Sequence, residues 1–252
     1  MKVDAVILAG RYNTGKLQAA SPARLEAMIE IVGRPMVDYV IEALVKSDVV
    51  GRIVLVGPGQ ELEPVLRPGV FAVEPVGDVL ANLRRGMATA ESEQVMVCTS
   101  DIPLLSPASI RDFLHRCRQT PGADFYMPVV SAHDAQEQYP EMKRTYGRIK
   151  EGRFTGGNIF LVSSRLPETV WKRAEEFVAS RKSVFRLASL LGLSYILKLL
   201  VFRPSIPQLE ARVEKLLGAK CRAVLTPYVE LVVDCDKESD LEVVEKAIKS
   251  SR

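Results

Sequence analysis

The sequence predicts an α/β fold: a mostly parallel sheet in a three-layer α/β/α arrangement, with a helical insertion late in the chain. Three observations carry this reading. Short β-rich runs alternate with helical patterns over roughly the first half of the chain. Several of those runs (VDAVILA, RIVLVG, QVMVCTS) are apolar at successive positions, as strands covered on both faces are. The chain has 252 residues, 47% hydrophobic and 26% charged, enough to bury a sizeable core without disulfides.

The elements follow in order. Residues 3–10 form a first, central strand. Pro35 suits the first turn of a helix that runs on through VDYVIEALVKS. Strands are expected at 52–57 and 69–75, then a helix capped by Asp78 and reaching Ala90. A fourth strand spans 94–100, Ser106 and Pro107 open the next helix, and a fifth strand spans 123–130. Residues 131–154 are polar and turn-rich, which predicts a loop or hairpin closing over a site. TGGNIFLV returns to strand chemistry. Residues 167–217 read as helical throughout, punctuated at Gly192, Pro204 and Pro207. CRAVLTP and YVELVVDCD are expected as final strands and KESDLEVVEKAIKSS as a closing helix. The domain reading is one unit over 1–252, with 167–219 as a helical insertion subdomain.

Composition excludes some functions. A net charge of +3 is too mild for a nucleic-acid surface without a local cluster. Two histidines, His115 and His133, supply a zinc site or a Ser-His-Asp triad poorly. The four cysteines show no CxxC spacing, and Cys98 and Cys221 sit in apolar runs, as reduced core residues do. The N-terminus lacks the succession of a signal peptide, so a cytoplasmic protein is expected. Residues 187–202 are the most apolar segment but too short and interrupted to span a bilayer. They are read as part of a helical subdomain packed on the sheet, with a membrane-surface or acceptor-binding patch, including a lipid-linked acceptor, as the alternative.

Three segments carry chemistry. The first strand runs into the loop RYNTGK, where an open α/β sheet places phosphates. Gly10 and Gly15 let the backbone approach a ligand, and Lys16 offers a mobile cation to a triphosphate. In CTSDIPLLSP, Asp101 follows a buried strand at the same sheet rim, where an ionised carboxylate can hold Mg²⁺ against phosphate oxygens. The alternative is a carboxylate capping a turn before Pro103. In VVDCDKESDL, alternation puts Asp234 and Asp236 on one face with Cys235 on the other, and one of them could complete a metal site with Asp101. Otherwise Asp236 or Ser239 caps the last helix, and Asp240 lies in its first turn. Lys143, Arg144, Arg148 and Lys150 form a charge run, read as a solvated face or as a clamp on a phosphorylated acceptor.

These segments resemble the MobA-like nucleotidyltransferase superfamily over residues 3–165 and 221–249. Leu8, Ala9 and Gly10 match its opening Leu-Ala-Gly-Gly signature, and Gly33, Arg34, Pro35 and Met36 match its Gly-Lys/Arg-Pro-Met helix start. SDIPLL looks like the Asp-x-Pro-Leu metal motif, which gives Asp101 the metal role. VGDVLANLRRGM resembles the segment that holds the nucleobase, implicating Gly77 and Asn82. TGGNIFLV is similar to the acceptor-side strand, implicating Gly157 and Asn158. DKESDL resembles the closing Asp-Thr-Pro-Glu-Asp-Leu motif and favours Asp236 over Asp234 as the second metal ligand.

The resemblance implies a Rossmann-like fold of the GT-A type and a Mg²⁺-dependent transfer of NMP from an NTP to a phosphorylated or hydroxyl acceptor, with pyrophosphate released. Lys16 and Asp101 would be catalytic, and Leu8, Ala9, Gly10, Arg11, Lys16, Gly77 and Asn82 would bind nucleotide. Two positions depart from the pattern. The second glycine of the signature is Arg11, and the later lysine falls on Glu26, a charge reversal beside a triphosphate. They motivate a second reading, a non-catalytic nucleotide-binding or sensing module. A nucleotide-sugar-dependent glycosyltransferase is a third, because DCD has the Asp-x-Asp spacing.

Overall fold

The computed structural model describes residues 2–180 and 203–250. A nine-stranded sheet runs in the order β5-β4-β1-β6-β10-β7-β9-β8, with β11 paired to β7. Its first half is parallel: β5 (Val70–Val73), β4 (Val50–Val56), β1 (Val3–Leu8) and β6 (Gln94–Thr99). β10 (Ile159–Ser163) lies antiparallel between β6 and β7 (Phe125–Ser131), and β11 (Cys221–Leu225) runs parallel to β7. β8 (Gly147–Ile149) and β9 (Gly152–Gly156) form a hairpin on the end of β7, and β2 (Glu30–Ile31) and β3 (Arg34–Pro35) form a separate short pair.

The alternation of β1 explains the layers. Val3, Ala5 and Ile7 enter a core with α1 (Met36–Lys46) and α4 (Pro107–Gln119), together with Val65 beyond the short α2 (Gly59–Leu62). Val6 points the other way, towards α3 (Val79–Met87) and α6 (Glu168–Ser180). The contact with α3 is close: a Cβ on Gly86 would stand 2.6 Å from Val6 Cγ1 and 2.7 Å from Val56 Cγ2. A third cluster joins α8 (Glu238–Ser250) to Val130, Val233 and Cys235.

Local signals set most helix ends. Asp78 accepts from the Leu80 and Ala81 amides at 3.0 and 2.9 Å, and Ser106 and Ser109 form a reciprocal capping box on α4. Pro35 stands one place earlier than expected, as the extended residue before α1. The polar stretch after β7 contains a short helix, α5 (Ala132–Gln138), as well as the expected hairpin. Of the helical stretch 167–217, α6 and α7 (Ile206–Leu217) are described, and α7 packs on β11. Residues 187–202 lie outside the described residues. Among the described residues no helix is long and apolar enough to cross a membrane. All four cysteines are free and buried.

One expected strand does not form. YVELVVDCD gives a 3₁₀ turn at Val229–Leu231 and then an irregular segment. Its valines are buried in one cluster and Leu231 in another, while its backbone finds partners outside any ladder. Leu231 O accepts from the Asn158 amide at 3.0 Å, and the Cys235 amide donates to Asp101 O at 2.9 Å. Burial and these two contacts satisfy the segment without a neighbouring strand.

Candidate active site

Three loops meet at the carboxyl ends of β1 and β6. The loop after β1 begins at Ala9, buried, whose amide donates to Val56 O at 2.9 Å, and Gly10, where a Cβ would stand 3.3 Å from Gly57 Cα. Leu8 closes the strand. The loop returns on itself: the Asn13 amide bonds Arg24 O at 2.8 Å and the Glu26 amide bonds Arg11 O at 3.0 Å. Lys16 is exposed on this loop, next to Gly15, whose Cβ position lies 3.6 Å from Glu26 Oε1.

Asp101 follows β6, and Asp234 and Asp236 come from the irregular segment before α8. Carboxylate oxygens of the three all lie within 4.8 Å of one another. Cys235, between Asp234 and Asp236, is buried in the cluster that joins α8 to Val130 and Val233. Two consecutive amides hold the last segment in place: the Cys235 amide bonds Asp101 O and the Asp236 amide bonds the buried Asp240 carboxylate at 3.1 Å.

The charges are strongly coupled. Burial raises the Asp101 pKa above the ordinary carboxylate value, and the neighbouring Asp236 adds to the effect. Burial also pushes Asp234 up to about 6, against the pull of Arg144. Glu26, only 4% exposed, is raised by burial, opposed by Arg11 and reinforced by Asp236. Arg11 Nε lies 3.1 Å from Glu26 and its Nη1 lies 3.8 Å from Asp236. Arg144 ion-pairs with Asp234. Four carboxylates against two guanidiniums leave two negative charges when all are ionised, the complement of one divalent cation.

The donor set fits such an ion. It is all carboxylate oxygen, which suits magnesium, and Asp101 Oδ1 is buried without a protein partner. The other acidic grouping among the described residues, His133, Asp134 and Glu137 on α5, is two-thirds exposed residues with contacts of 3.4 and 3.8 Å to its own helix, a solvated face.

The remaining expected residues fall on two further walls. Gly157 and Asn158 make a bulge: Val129 lies opposite Gly156 but Tyr126 lies opposite Leu161, so two extra residues are accommodated between β9 and β10. A Cβ on Gly157 would stand 2.7 Å from both Leu231 O and Pro128 Cγ, so no side chain fits there. Asn158 O accepts from the Thr99 amide at 3.1 Å, two residues before Asp101, and Asn158 Nδ2 is buried without a partner. Gly77 and Asn82 sit at the start of α3. The Asn82 amide is committed to backbone, accepting from Val76 and Gly77 at 2.8 and 3.2 Å and donating to Gly77 O at 3.1 Å. It shapes the exposed loop in front of α3.

Two roles escape a linear reading. Arg144 belongs to a charge run, but it alone of the four turns inward, while Lys143, Arg148 and Lys150 are exposed. Glu26 reads as a charge reversal in sequence, whereas in space Arg11 lies against it.

The sheet and its flanking helices are those of the Rossmann-like nucleotidyltransferases. The chain belongs to the MobA-like NTP transferase domain family, whose sequence model matches residues 23–200. A hypothetical transferase from Thermus thermophilus is 36% identical with a TM-score of 0.84, over 96% of this chain and 100% of that one. The fold is shared by CMP:2-keto-3-deoxy-manno-octonic acid synthetase complexed with CTP, at 15% identity and TM-score 0.62 over 100% of both chains. It is shared too by 4-diphosphocytidyl-2C-methyl-D-erythritol synthase from Anaerococcus prevotii, at 13% identity and TM-score 0.57 over 98% of this chain and 99% of that one. A comparison with curated proteins finds no match.

Proposed function

We propose that the protein transfers an NMP group from an NTP to a phosphorylated or hydroxyl acceptor, with Mg²⁺ held by Asp101 and Asp236. The observation that supports this reading most is the convergence of Asp101, Asp234 and Asp236 beside the loop that follows β1. An acceptor oxygen forms its bond to the α-phosphorus as the bond to the bridging oxygen breaks, and pyrophosphate leaves with that electron pair. Magnesium, when bound, neutralises charge on the phosphate oxygens. Such chemistry depends on positioning and electrostatics more than on proton transfer, in keeping with a chain of two histidines.

Each residue then has a task. Arg11, Lys16 and the amides near Gly10 hold the β- and γ-phosphates. Asn82 holds the Gly77 loop in shape for the base, and Asn158 orients the acceptor. Asp234, already paired with Arg144, is the less available of the three carboxylates. The single unit over 1–252 with its insertion at 167–219, and a cytoplasmic location, belong to the same proposal.

Glu26 favours a second reading, nucleotide binding without transfer, because it pairs with Arg11, a cation that the transfer reading assigns to the phosphates. Melting temperatures with CTP, GTP, UTP and ATP, each with and without Mg²⁺, test the site. One nucleotide is expected to raise the melting temperature only with Mg²⁺, and Asp101→Asn to abolish both that shift and pyrophosphate release. Unchanged turnover in Asp101→Asn removes the assignment, and binding without turnover across an acceptor panel supports the second reading.

A further inference from the structure

The β8–β9 hairpin places two arginines directly opposite each other. Arg148 is the cross-strand partner of Arg153, so both side chains leave the hairpin on one face. Both are exposed, and among the described residues neither has a carboxylate partner. Glu151, the acid of the connecting turn, accepts from the Ile206 amide at 3.2 Å. Like charges directly opposite each other destabilise a hairpin. Protecting the edge strand β8 asks for a charge there, and does not account for a second one facing it on β9.

The face they share is that of the acidic cluster. Thr155, two residues beyond Arg153, lies opposite Val130, and Val130 packs in the apolar cluster that contains Val233 and Cys235. Tyr146, two residues before Arg148, packs on the same cluster. The Arg153 guanidinium lies over the Tyr146 ring, 5.3 Å from its centre. Arg144, two residues before Tyr146, pairs with Asp234. The four residue steps from Arg144 to Arg148 cover at most about 14 Å of extended chain, within the length of a small phosphorylated molecule.

We infer that Arg148 and Arg153 bind a phosphate monoester carried by the acceptor, at the end remote from its attacking oxygen. As acceptor chemistry this rests on the transfer reading; as an anion site it rests on the arginine pair alone. A phosphate monoester carries close to two negative charges at neutral pH, which two guanidiniums neutralise, and each guanidinium can offer its oxygens two parallel N–H donors. The Tyr146 contact holds Arg153 in position before the anion arrives, which lowers the cost of ordering it.

The test is a phosphorus NMR titration of the whole protein with methyl phosphate, and Mg²⁺–NTP binding is measured in parallel. Arg148→Gln and Arg153→Gln are each expected to weaken methyl phosphate binding about tenfold, the worth of one charge-assisted contact, and to leave NTP binding unchanged. Lys150→Gln removes an equal charge from the turn and is expected to change the affinity less than about twofold. Arg11→Ala is expected to leave methyl phosphate on the pair. Because Arg148→Gln relieves a like-charge neighbour, its melting temperature is expected to be unchanged or higher.

No methyl phosphate binding, equal weakening in the Arg148, Arg153 and Lys150 variants, or weakening that tracks a fall in melting temperature overturns the inference. Displacement of methyl phosphate by an equal concentration of succinate overturns the assignment to phosphate. Arginine-dependent binding in a protein that binds no Mg²⁺–NTP upholds the anion site and removes the transfer reading. Mg²⁺–NTP binding, with methyl phosphate indifferent to both arginines, removes the inference alone.

Discussion

Arg144 and Asp234 form an ion pair in which both side chains are largely withdrawn from water, 13% and 18% exposed. The pair fastens the segment after α5 to the segment before α8, ninety residues on. It also places a protein cation beside the carboxylate cluster. Asp234 thereby differs from Asp236, whose Arg11 neighbour stands farther off and whose side chain is 58% exposed.

Breaking that pair from one side leaves a buried charge. Arg144→Met is expected to destabilise the metal-free protein by about 2 kcal/mol, because Asp234 then lacks a counter-charge. Asp234→Asn should cost less, because it strands Arg144 but also removes a carboxylate that burial disfavours at neutral pH. The double variant should lose well under the sum of the two single losses, as residues in direct contact couple. Urea denaturation of the four proteins in EDTA gives the coupling, and additive losses would show that the pair contributes nothing.

The carboxylates give a definite pH dependence. The folded pKa of Asp234, about 6, exceeds its ordinary value of 3.8, so the unfolded chain releases that proton first as pH rises. The resulting penalty is absent below about pH 4 and fully present above pH 6, and reaches at most about 3 kcal/mol. Relative to Asp234→Asn, the metal-free wild type should lose stability as pH rises from 4 to 7. Millimolar Mg²⁺ should flatten the difference above pH 6, where Asp234 is ionised. Melting curves in EDTA and in Mg²⁺ at half-unit pH steps provide the check, and a difference independent of pH would contradict the raised pKa.

Arg11 and Glu26 should respond unequally to substitution. Burial raises the Glu26 pKa, so the isosteric Glu26→Gln removes an unfavourable charge and should leave stability unchanged or slightly higher at pH 8. Arg11→Ala leaves Glu26 uncompensated and should cost about 1 kcal/mol at pH 8, less at pH 5. Arg11→Ala should also raise KM for the NTP, whereas a change in kcat alone would place Arg11 away from the phosphates.

Gly157→Ala tests the bulge. Its Cβ would meet the Leu231 carbonyl and Pro128 at 2.7 Å, and neither is the flexible end of a side chain. A loss of about 1–3 kcal/mol is expected from overpacking. Because Leu231 leads into Asp234 and Asp236, Mg²⁺ affinity should fall too, which calorimetry of the folded variant would measure.

Much of this architecture was legible in the chain. The helix start at Ser106-Pro107, the Asp78 cap and the strand ending before Asp101 are local: a hydroxyl or carboxylate meets an amide two or three residues on, and a run of apolar residues needs cover on both faces. That Asp234 or Asp236 could join Asp101 was visible even though the strand expected there does not form.

The α/β layers and the position of Asp101 after β6 follow from side-chain periodicity and end-capping, which act over a few residues. What each charge faces follows from tertiary packing. Arg144 reaches Asp234 across ninety residues, and Arg11 reaches Glu26 across fifteen. The YVELVVDCD segment gave up a ladder for contacts with Asn158 and Asp101. Pairings of that kind depend on which segments the packed core brings together, since a carboxylate withdrawn from water takes whatever counter-charge or donor lies within reach.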